Sequence, residues 1–384
     1  MRILAAGGGS GGHVTPVAAV LREIKQRYPD TEIRFWCDRK FGASARSVMH
    51  HFDPSIKVDT VTSGKLRRYH HLSVFQQLLK FRTIVLPNIT DMVKVMVGLI
   101  ESILKLIAWR PDVVFTKGGF VCLPIGMAAK LLRIPLVIHD SDAHPGLTNR
   151  ILAHFATSIG TGAPLKFYNY PASKAQYVGV PVRADFTPYP AERQAAAKQA
   201  LGFSAERPLM VVTGGGLGAK RLNMAVAGQL QALLQHTNII LISGESQFDE
   251  MNALTPRDDT RFQLYPFVSK AMADMLGAAD IVVARAGATT IVELAALAKP
   301  TILVPNGYLT GGHQLKNAAV YAEKGAVSVL DEEELEKDPA KLTDEVLNLL
   351  ADKTRLQAMG RAFHTFAKPN AAKDMAEMIL AAAK

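Results

Sequence analysis

Two stretches far apart in the chain read alike. "ILAAGGGSGGH" (3–13) and "LMVVTGGGLGAK" (209–220) each run from a short apolar strand through a glycine-rich turn into a helix. A strand handing over to a helix through glycines opens a βαβ unit, and having it twice implies one nucleotide-type fold used twice. "RILAAG", "EIRFWC", "DVVFTKGG", "PLVIHD" and "ATSIGTG" read as buried strands of one parallel sheet. "PLMVVTGGG", "NIILISGES", "FQLYPFV", "DIVVARAG" and "TILVPN" read as strands of a second, with helical stretches between them. The expected fold class is α/β, two Rossmann-like domains facing across a cleft. Residues 1–181 are expected to form the first domain and 182–362 the second. The prolines of "YVGVPVRADFTPYPAERQ" mark the connection. The helical, Ala- and Met-rich tail 363–384 is expected to cross back onto the first domain. A length of 384 residues suits two cores better than one.

The net charge of +10 is unevenly placed. Residues 1–160 hold 21 Lys and Arg against 11 Asp and Glu, while residues 161–384 hold 23 of each. An anionic partner for the first half accounts for this, and so does simple solubility. Nucleic acid is disfavoured, since the chain lacks aromatic stacking platforms and any recognisable binding motif. Cys37 and Cys122 form no metal motif and no disulfide framework. The start of the chain shows no secretory leader pattern.

The run from Lys65 to Arg110 stands apart. "GKLRRYHHLSVFQQLLKFR" carries five Lys and Arg and no acid, and the very apolar "TIVLPNITDMVKVMVGLIESILKLIAW" follows. Asp91, Lys94, Glu101 and Lys105 make it a poor transmembrane span. Two readings stay open: a basic and apolar surface that lies on an anionic membrane, or a core helix with solvated basic residues at its start.

Several residues carry candidate chemistry. His13 sits where the first glycine turn becomes a helix, a place from which an imidazole can take a proton from a hydroxyl. No acid closes "EIRFWC" in the ribose-binding place, although Asp38 comes just after, so NAD is disfavoured. In "ARAGATTIVELAALAKP" (284–300), Thr289 and Thr290 offer hydroxyls and amides at a helix start to a diphosphate. Glu293, one turn in, can accept hydrogen bonds from ribose hydroxyls. "GGHQLKNA" (311–318) brings His313, Gln314 and Asn317, and the Gln314 amide suits sugar hydroxyls. "HDSDAHPGLTNR" (139–150) gathers His139, Asp140, Asp142, His144 and Asn149, but the spacing matches no standard metal ligand set. A loop that touches substrate is the preferred reading there.

Together these motifs resemble the MurG family over nearly the whole chain. "GGGSGGHVTP", "SGKLRR", "TKGGFVCLP", "GLTNR", "VGVPVR", "GGGLGAKRLN", "ARAGATTIVELAALAKP" and "HQLKNA" fall in that family's order. The resemblance implies a GT-B fold, with an N-terminal acceptor and membrane-docking domain and a C-terminal domain for UDP-N-acetylglucosamine. It implies inverting transfer of N-acetylglucosamine to the 4-hydroxyl of MurNAc in undecaprenyl-pyrophosphoryl-MurNAc-pentapeptide (lipid I), with no metal and no cofactor. By the same resemblance His13 is the base. Ser10, Gly11 and Gly12 lie near the donor diphosphate and sugar. Arg183 and Val268 contact the donor, Val268 by its backbone. Ala288, Thr289, Thr290, Ile291 and Val292 hold diphosphate and ribose, with Glu293 on the ribose hydroxyls and Gln314 on the sugar. Lys65, Arg67 and Arg68 fall to the acceptor or an anionic membrane, and the enzyme is peripheral on the cytoplasmic face of the plasma membrane.

Two positions depart from the family pattern. Asp142 stands where the family commonly has an asparagine that touches donor sugar, and Gly216 where it commonly has a serine. Another lipid acceptor such as diacylglycerol, or a non-catalytic nucleotide-sugar-binding subunit, are the alternatives.

Overall fold

The computed structural model describes residues 1–8, 11–65, 80–216, 218–256, 258–268, 271–307 and 312–383, and of residues 11–13 the backbone only. The chain divides into two compact units, Met1–Arg183 with Lys368–Lys384, and Ala184–Ala367.

The first unit is built on a seven-stranded sheet of β1 (Arg2–Ala6), β2 (Glu32–Asp38), β3 (Lys57–Val61), β4 (Val113–Thr116), β5 (Leu136–Asp140), β6 (Ser158–Thr161) and β7 (Ala175–Tyr177). The order is β3-β2-β1-β4-β5-β6-β7, with every neighbouring pair parallel. Central β1 is buried on both faces, which is why it is uniformly apolar. Its Ile3 and Ala5 join one core with Val14, Val17, Leu21 and Ile24 of the helix Gly11–Arg27. Its Leu4 and Ala6 join the other, with Val95 and Leu106 of the helix Leu86–Trp109 and Ile125 and Ala128 of the helix Cys122–Leu131. The last helix, Ala371–Ala382, returns to this unit and buries Met375, Ala376 and Ile379 in the first core. Gly160 makes room for it, since a Cβ there would lie 2.7 Å from Met375 Sδ. Burying Met375 and Ile379 is worth about 2 kcal/mol each.

The second unit repeats the plan. Its strands are β8 (Leu209–Thr213), β9 (Asn238–Ile242), β10 (Phe262–Tyr265), β11 (Ile281–Ala284), β12 (Thr301–Leu303) and β13 (Ser328–Val329), in the all-parallel order β10-β9-β8-β11-β12-β13. In both sheets the strand order reverses beside the first strand, so the loops after β1 and β4, and after β8 and β11, meet at the carboxyl edge where α/β sheets bind ligands.

The sequence reading missed β3, β7 and β13. All three are sheet edges. "KVDTV" has only two apolar residues and no clean alternation, and β7 and β13 have only three and two residues, too few for a pattern.

The helix Leu86–Trp109 is apolar outward as well as inward, where Val95, Leu106 and Trp109 are buried. Asp91, Gly98 and Ser102 face inward, and a Cβ on Gly98 would fall on the Thr62 carbonyl. Outward, Ile89, Val93, Val97, Ile100, Leu104 and Ile107 are each about half to two-thirds exposed. Their spacing of three and four residues makes one continuous apolar stripe. No helix among the described residues is long and apolar enough to cross a membrane.

Candidate active site

At the carboxyl edge of the first sheet, the turn after β1 and the loop after β4 approach each other closely. The turn after β1 enters with Gly7, whose N–H donates to Trp36 O at 3.2 Å. A Cβ on Gly8 would lie 2.6 Å from Asp38 Oδ2 and 2.9 Å from Val121 Cγ1. The loop after β4 holds Gly118 and Gly119 at φ of +93° and +91°, backbone that glycine alone adopts without strain. A Cβ on Gly119 would lie 2.8 Å from Gly8 O. The helix Gly11–Arg27 starts on this edge with no acidic residue in its first turn, so its N-terminal amides favour an anion. Gly11, Gly12 and His13 form that first turn. Ser10, Arg67 and Arg68 lie outside the described residues. Lys65 is exposed, next to Gly64, whose Cβ would fall on the Asp91 carbonyl.

Asp38 does not follow β2, as the sequence reading has it, but is its last residue. It is buried, and its Oδ1 accepts from Phe41 N at 3.1 Å. The carboxylate fills the space that Gly8 leaves, so it is spent on the turn itself.

The "HDSD" loop after β5 is pinned from several sides. Asn149 Nδ2 donates to His139 O at 3.1 Å, Gly162 N to Asp140 O at 2.7 Å, and Tyr168 Oη to Asp142 O at 2.7 Å. Tyr170 stacks on Tyr168 with ring centroids 5.5 Å apart and donates to Asp140 Oδ2 at 2.8 Å. His139 is fully buried and donates from Nε2 to Gly179 O at 2.8 Å. Its Nδ1 is then the acceptor for Ser141 Oγ at 3.4 Å, and Ser141 Oγ accepts from Lys117 Nζ. Burial pushes the Asp140 carboxyl up to about 7, with the neighbouring Asp142 adding to it. Burial lowers the Lys117 ammonium to about 8, against the pull of Asp142 and Asp140. Asp142 is partly exposed. Among the described residues no group of side chains could hold a metal ion.

In the second unit the turn after β8 and the start of the helix Ala288–Ala296 come together. Gly215, at φ +74°, places a would-be Cβ 3.9 Å from Thr290 Oγ1. Gly218 N donates to Gly215 O at 3.0 Å and closes the turn. Gly216 is exposed, with nothing within 4 Å of a Cβ, so the hydroxymethyl of a serine would fit there. The helix Ala288–Ala296 has Gly287 at its N-cap, which carries no side chain to cap it, and a helix start favours an anion. Ala288, Thr289, Thr290, Val292 and Glu293 are partly exposed, whereas Ile291 is a core residue and offers only its backbone. Val268 likewise packs in the core. Gln314 is buried, and its Oε1 accepts from Asn306 N at 2.9 Å. Its amide nitrogen is the end that can donate to a sugar. Asn317 Nδ2 donates to Ala286 O at 3.1 Å and ties the helix His313–Ala322 to the loop after β11. Arg183 is the last residue of the first unit, partly exposed.

Two buried cations behind these loops escaped the sequence reading. Lys117 ends β4's apolar run and Arg285 ends β11's. Arg285 donates to Val304 O at 3.0 Å and pairs with buried Glu332, which fixes the loop leading to Gly287. The signal was present: a charge at the end of a fully buried strand needs a partner.

The sequence model of the Glycosyltransferase family 28 N-terminal domain matches residues 3–161, and that of the C-terminal domain matches residues 209–375. The chain is 33% identical over 354 residues to the UDP-N-acetylglucosamine–N-acetylmuramyl-(pentapeptide) pyrophosphoryl-undecaprenol N-acetylglucosamine transferase of Clostridium kluyveri, covering 91% of each chain. It is 32% identical to the enzyme of the same name from Acetivibrio thermocellus, covering 99% of this chain and 97% of that one. The crystal structure of Acinetobacter baumannii MurG aligns over 99% of both chains with a TM-score of 0.72 and 24% identity, a likeness of fold. With its two Rossmann-like units and these relatives along its length, the chain belongs to glycosyltransferase family 28, among the MurG transferases.

Proposed function

We propose that this chain transfers N-acetylglucosamine from UDP-N-acetylglucosamine to the MurNAc 4-hydroxyl of undecaprenyl-pyrophosphoryl-MurNAc-pentapeptide, converting lipid I to lipid II in peptidoglycan synthesis. The observation that carries the reading is the repeated glycine turn leading to a helix start at the carboxyl edge of each sheet, in a chain a third identical to named transferases over nine-tenths of its length. In the second unit, amides of the Gly214–Gly218 turn and of Ala288–Thr290 bind the donor diphosphate and stabilise it as it leaves. Glu293 accepts from the ribose, Val268 meets the base through its backbone, and Gln314 donates to the sugar. In the first unit, Ser10, Gly11 and Gly12 admit the reacting groups. The His13 imidazole takes the proton from the attacking hydroxyl. The anomeric centre inverts in one displacement. No step calls for a metal.

The lipid of the acceptor gives the outward stripe of the helix Leu86–Trp109 a use. Ile89, Val93, Val97, Ile100, Leu104 and Ile107 enter the interface of an anionic bilayer, each worth about 1 kcal/mol on burial, and Lys65, Arg67 and Arg68 meet its headgroups. The enzyme is then peripheral, on the cytoplasmic face where its nucleotide donor is found.

The test is transfer of radiolabelled N-acetylglucosamine from its UDP donor to a lipid I analogue and, in parallel, to diacylglycerol. Label in the lipid I analogue alone is expected. Label in diacylglycerol assigns another acceptor, and binding of the donor without transfer to either assigns a non-catalytic role.

A further inference from the structure

Glu332 belongs to none of the sequence motifs and has no part in the mechanism above, yet it is a carboxylate only 3% exposed. It opens the helix Glu332–Lys337, shortly after the edge strand β13. That helix start is firmly set. Asp331 Oδ1 accepts from Glu333 N at 2.8 Å and from Glu334 N at 3.0 Å, and Leu335 is buried in one core with Leu342 and Val346. From this fixed place the two carboxylate oxygens take different partners. Oε1 accepts from Arg285 Nη2, and Oε2 accepts from Arg221 Nη1 at 3.5 Å.

The two arginines belong to the two segments of the donor diphosphate site. Arg221 is the second residue of the helix Lys220–His236, just past Gly218 of the glycine turn. Its Nε also reaches Glu336 Oε2 at 3.0 Å, on the same helix as Glu332. Arg285 follows β11 and stands just before the N-cap Gly287. Its backbone N–H donates to Thr213 O at 3.2 Å, at the end of β8, and Thr213 Oγ1 accepts from Gly215 N at 3.1 Å. Its Nη1 donates to Val304 O at 3.0 Å, so the guanidinium is engaged within the protein. A buried ion pair is often no more stable than apolar residues of similar volume. Stability of the fold therefore does not account for a carboxylate here, whereas its reach to both segments does.

We propose that Glu332 is a positioning residue. Through Arg221 and Arg285 it sets the spacing between the Gly214–Gly218 turn and the helix start at Ala288–Thr290, the two backbone segments that hold the donor diphosphate. The inference deepens the transferase reading and rests on it. Amides stabilise a diphosphate best when they are held in place before it arrives. A shift of about 1 Å between the two segments is enough to weaken that hold.

Two changes separate position from stability. Glu332→Leu with Arg285→Met replaces the buried pair by apolar side chains. Arg221→Met removes the second link at a side chain 36% exposed. Calorimetric binding of UDP-N-acetylglucosamine, transfer to a lipid I analogue with each substrate varied, and the melting temperature are measured on each. The double variant is expected to melt no lower than the unaltered protein, to bind the donor about tenfold more weakly, and to keep its acceptor KM within about twofold. Arg221→Met is expected to weaken donor binding about threefold, and to add nothing to the double variant, where the carboxylate it reaches is gone. A merely structural pair would not lower donor affinity in a protein of full stability. A folded double variant that binds the donor as tightly as the unaltered protein overturns the proposal. So does an equal rise in both KM values, or an Arg221→Met effect that persists undiminished without Glu332. Should the double variant fail to fold, Arg221→Met alone decides, and unchanged donor affinity in it overturns the proposal too. If the unaltered protein binds no UDP-N-acetylglucosamine, the transferase reading itself fails and takes this inference with it; normal donor binding in every variant sinks the inference alone.

Discussion

Gly216 and Gly218 stand two places apart in one turn and have opposite freedom. Gly218 sits at φ +74° with the Ser243 carbonyl where a Cβ would go, while Gly216 faces open space. Gly218→Ala should destabilise by about 2 kcal/mol or more, and Gly216→Ser by no more than about 0.5 kcal/mol, in denaturant melts. Asp140 carries a pH signature. Its carboxyl is pushed by burial up to about 7, against an ordinary 3.8. Between those values the folded chain holds a proton that the unfolded chain has released, so this group's contribution falls as pH rises through the window and stays low above it. Asp140→Asn removes the titration while leaving an oxygen for Tyr170 to donate to. The stability of the variant relative to the unaltered chain should rise from pH 4 to pH 7, by on the order of a few kcal/mol; a difference independent of pH would contradict this. Residues of this kind were the least legible in the sequence. The glycine turns and Thr289–Thr290 announce themselves because their logic is local. Lys117 and Arg285 do not, because their partners Ser141 and Glu332 lie 24 and 47 residues away and only the sheet brings them together.

At the scale of elements, the long parallel strands were legible because burial on both faces leaves an unbroken apolar run, as in β1, β8 and β9. Of the edge strands, β3, β7 and β13 were not, since one bonded neighbour demands little of their sequence, while β10 was read from its apolar and aromatic run. The helix Leu86–Trp109 shows the limit of periodicity more sharply. Its pattern is amphipathic, and the sequence left open whether the apolar side faces a core or a membrane. Folding settles that side as exposed, because Gly98 packs on Thr62 while Glu101 Oε2 accepts from Thr62 N at 2.9 Å and Lys105 Nζ donates to Thr60 O at 2.7 Å. Polar residues thus anchor the helix from within. Replacing Val93, Val97 and Ile100 together with glutamate should leave the melting temperature nearly unchanged and reduce co-sedimentation with anionic vesicles at least fivefold. Undiminished sedimentation would remove this helix from the docking surface.

At the scale of the molecule, one fold is used twice and the two copies differ in charge. The excess of basic residues lies entirely in residues 1–160, while residues 161–384 are balanced. That asymmetry suits a first unit that meets an anionic, membrane-held acceptor and a second that holds a soluble nucleotide through backbone amides and helix starts. On the proposed reading the two jobs are separable, with the proton acceptor in the first unit and donor affinity in the second. The measurement that tests this most directly pairs lipid I turnover with calorimetric binding of UDP-N-acetylglucosamine in His13→Ala and in Glu293→Ala. His13→Ala should lose at least a hundredfold in kcat with donor affinity kept, and Glu293→Ala should lose affinity by tenfold or more. Turnover within a few-fold of the unaltered enzyme in His13→Ala would contradict the account.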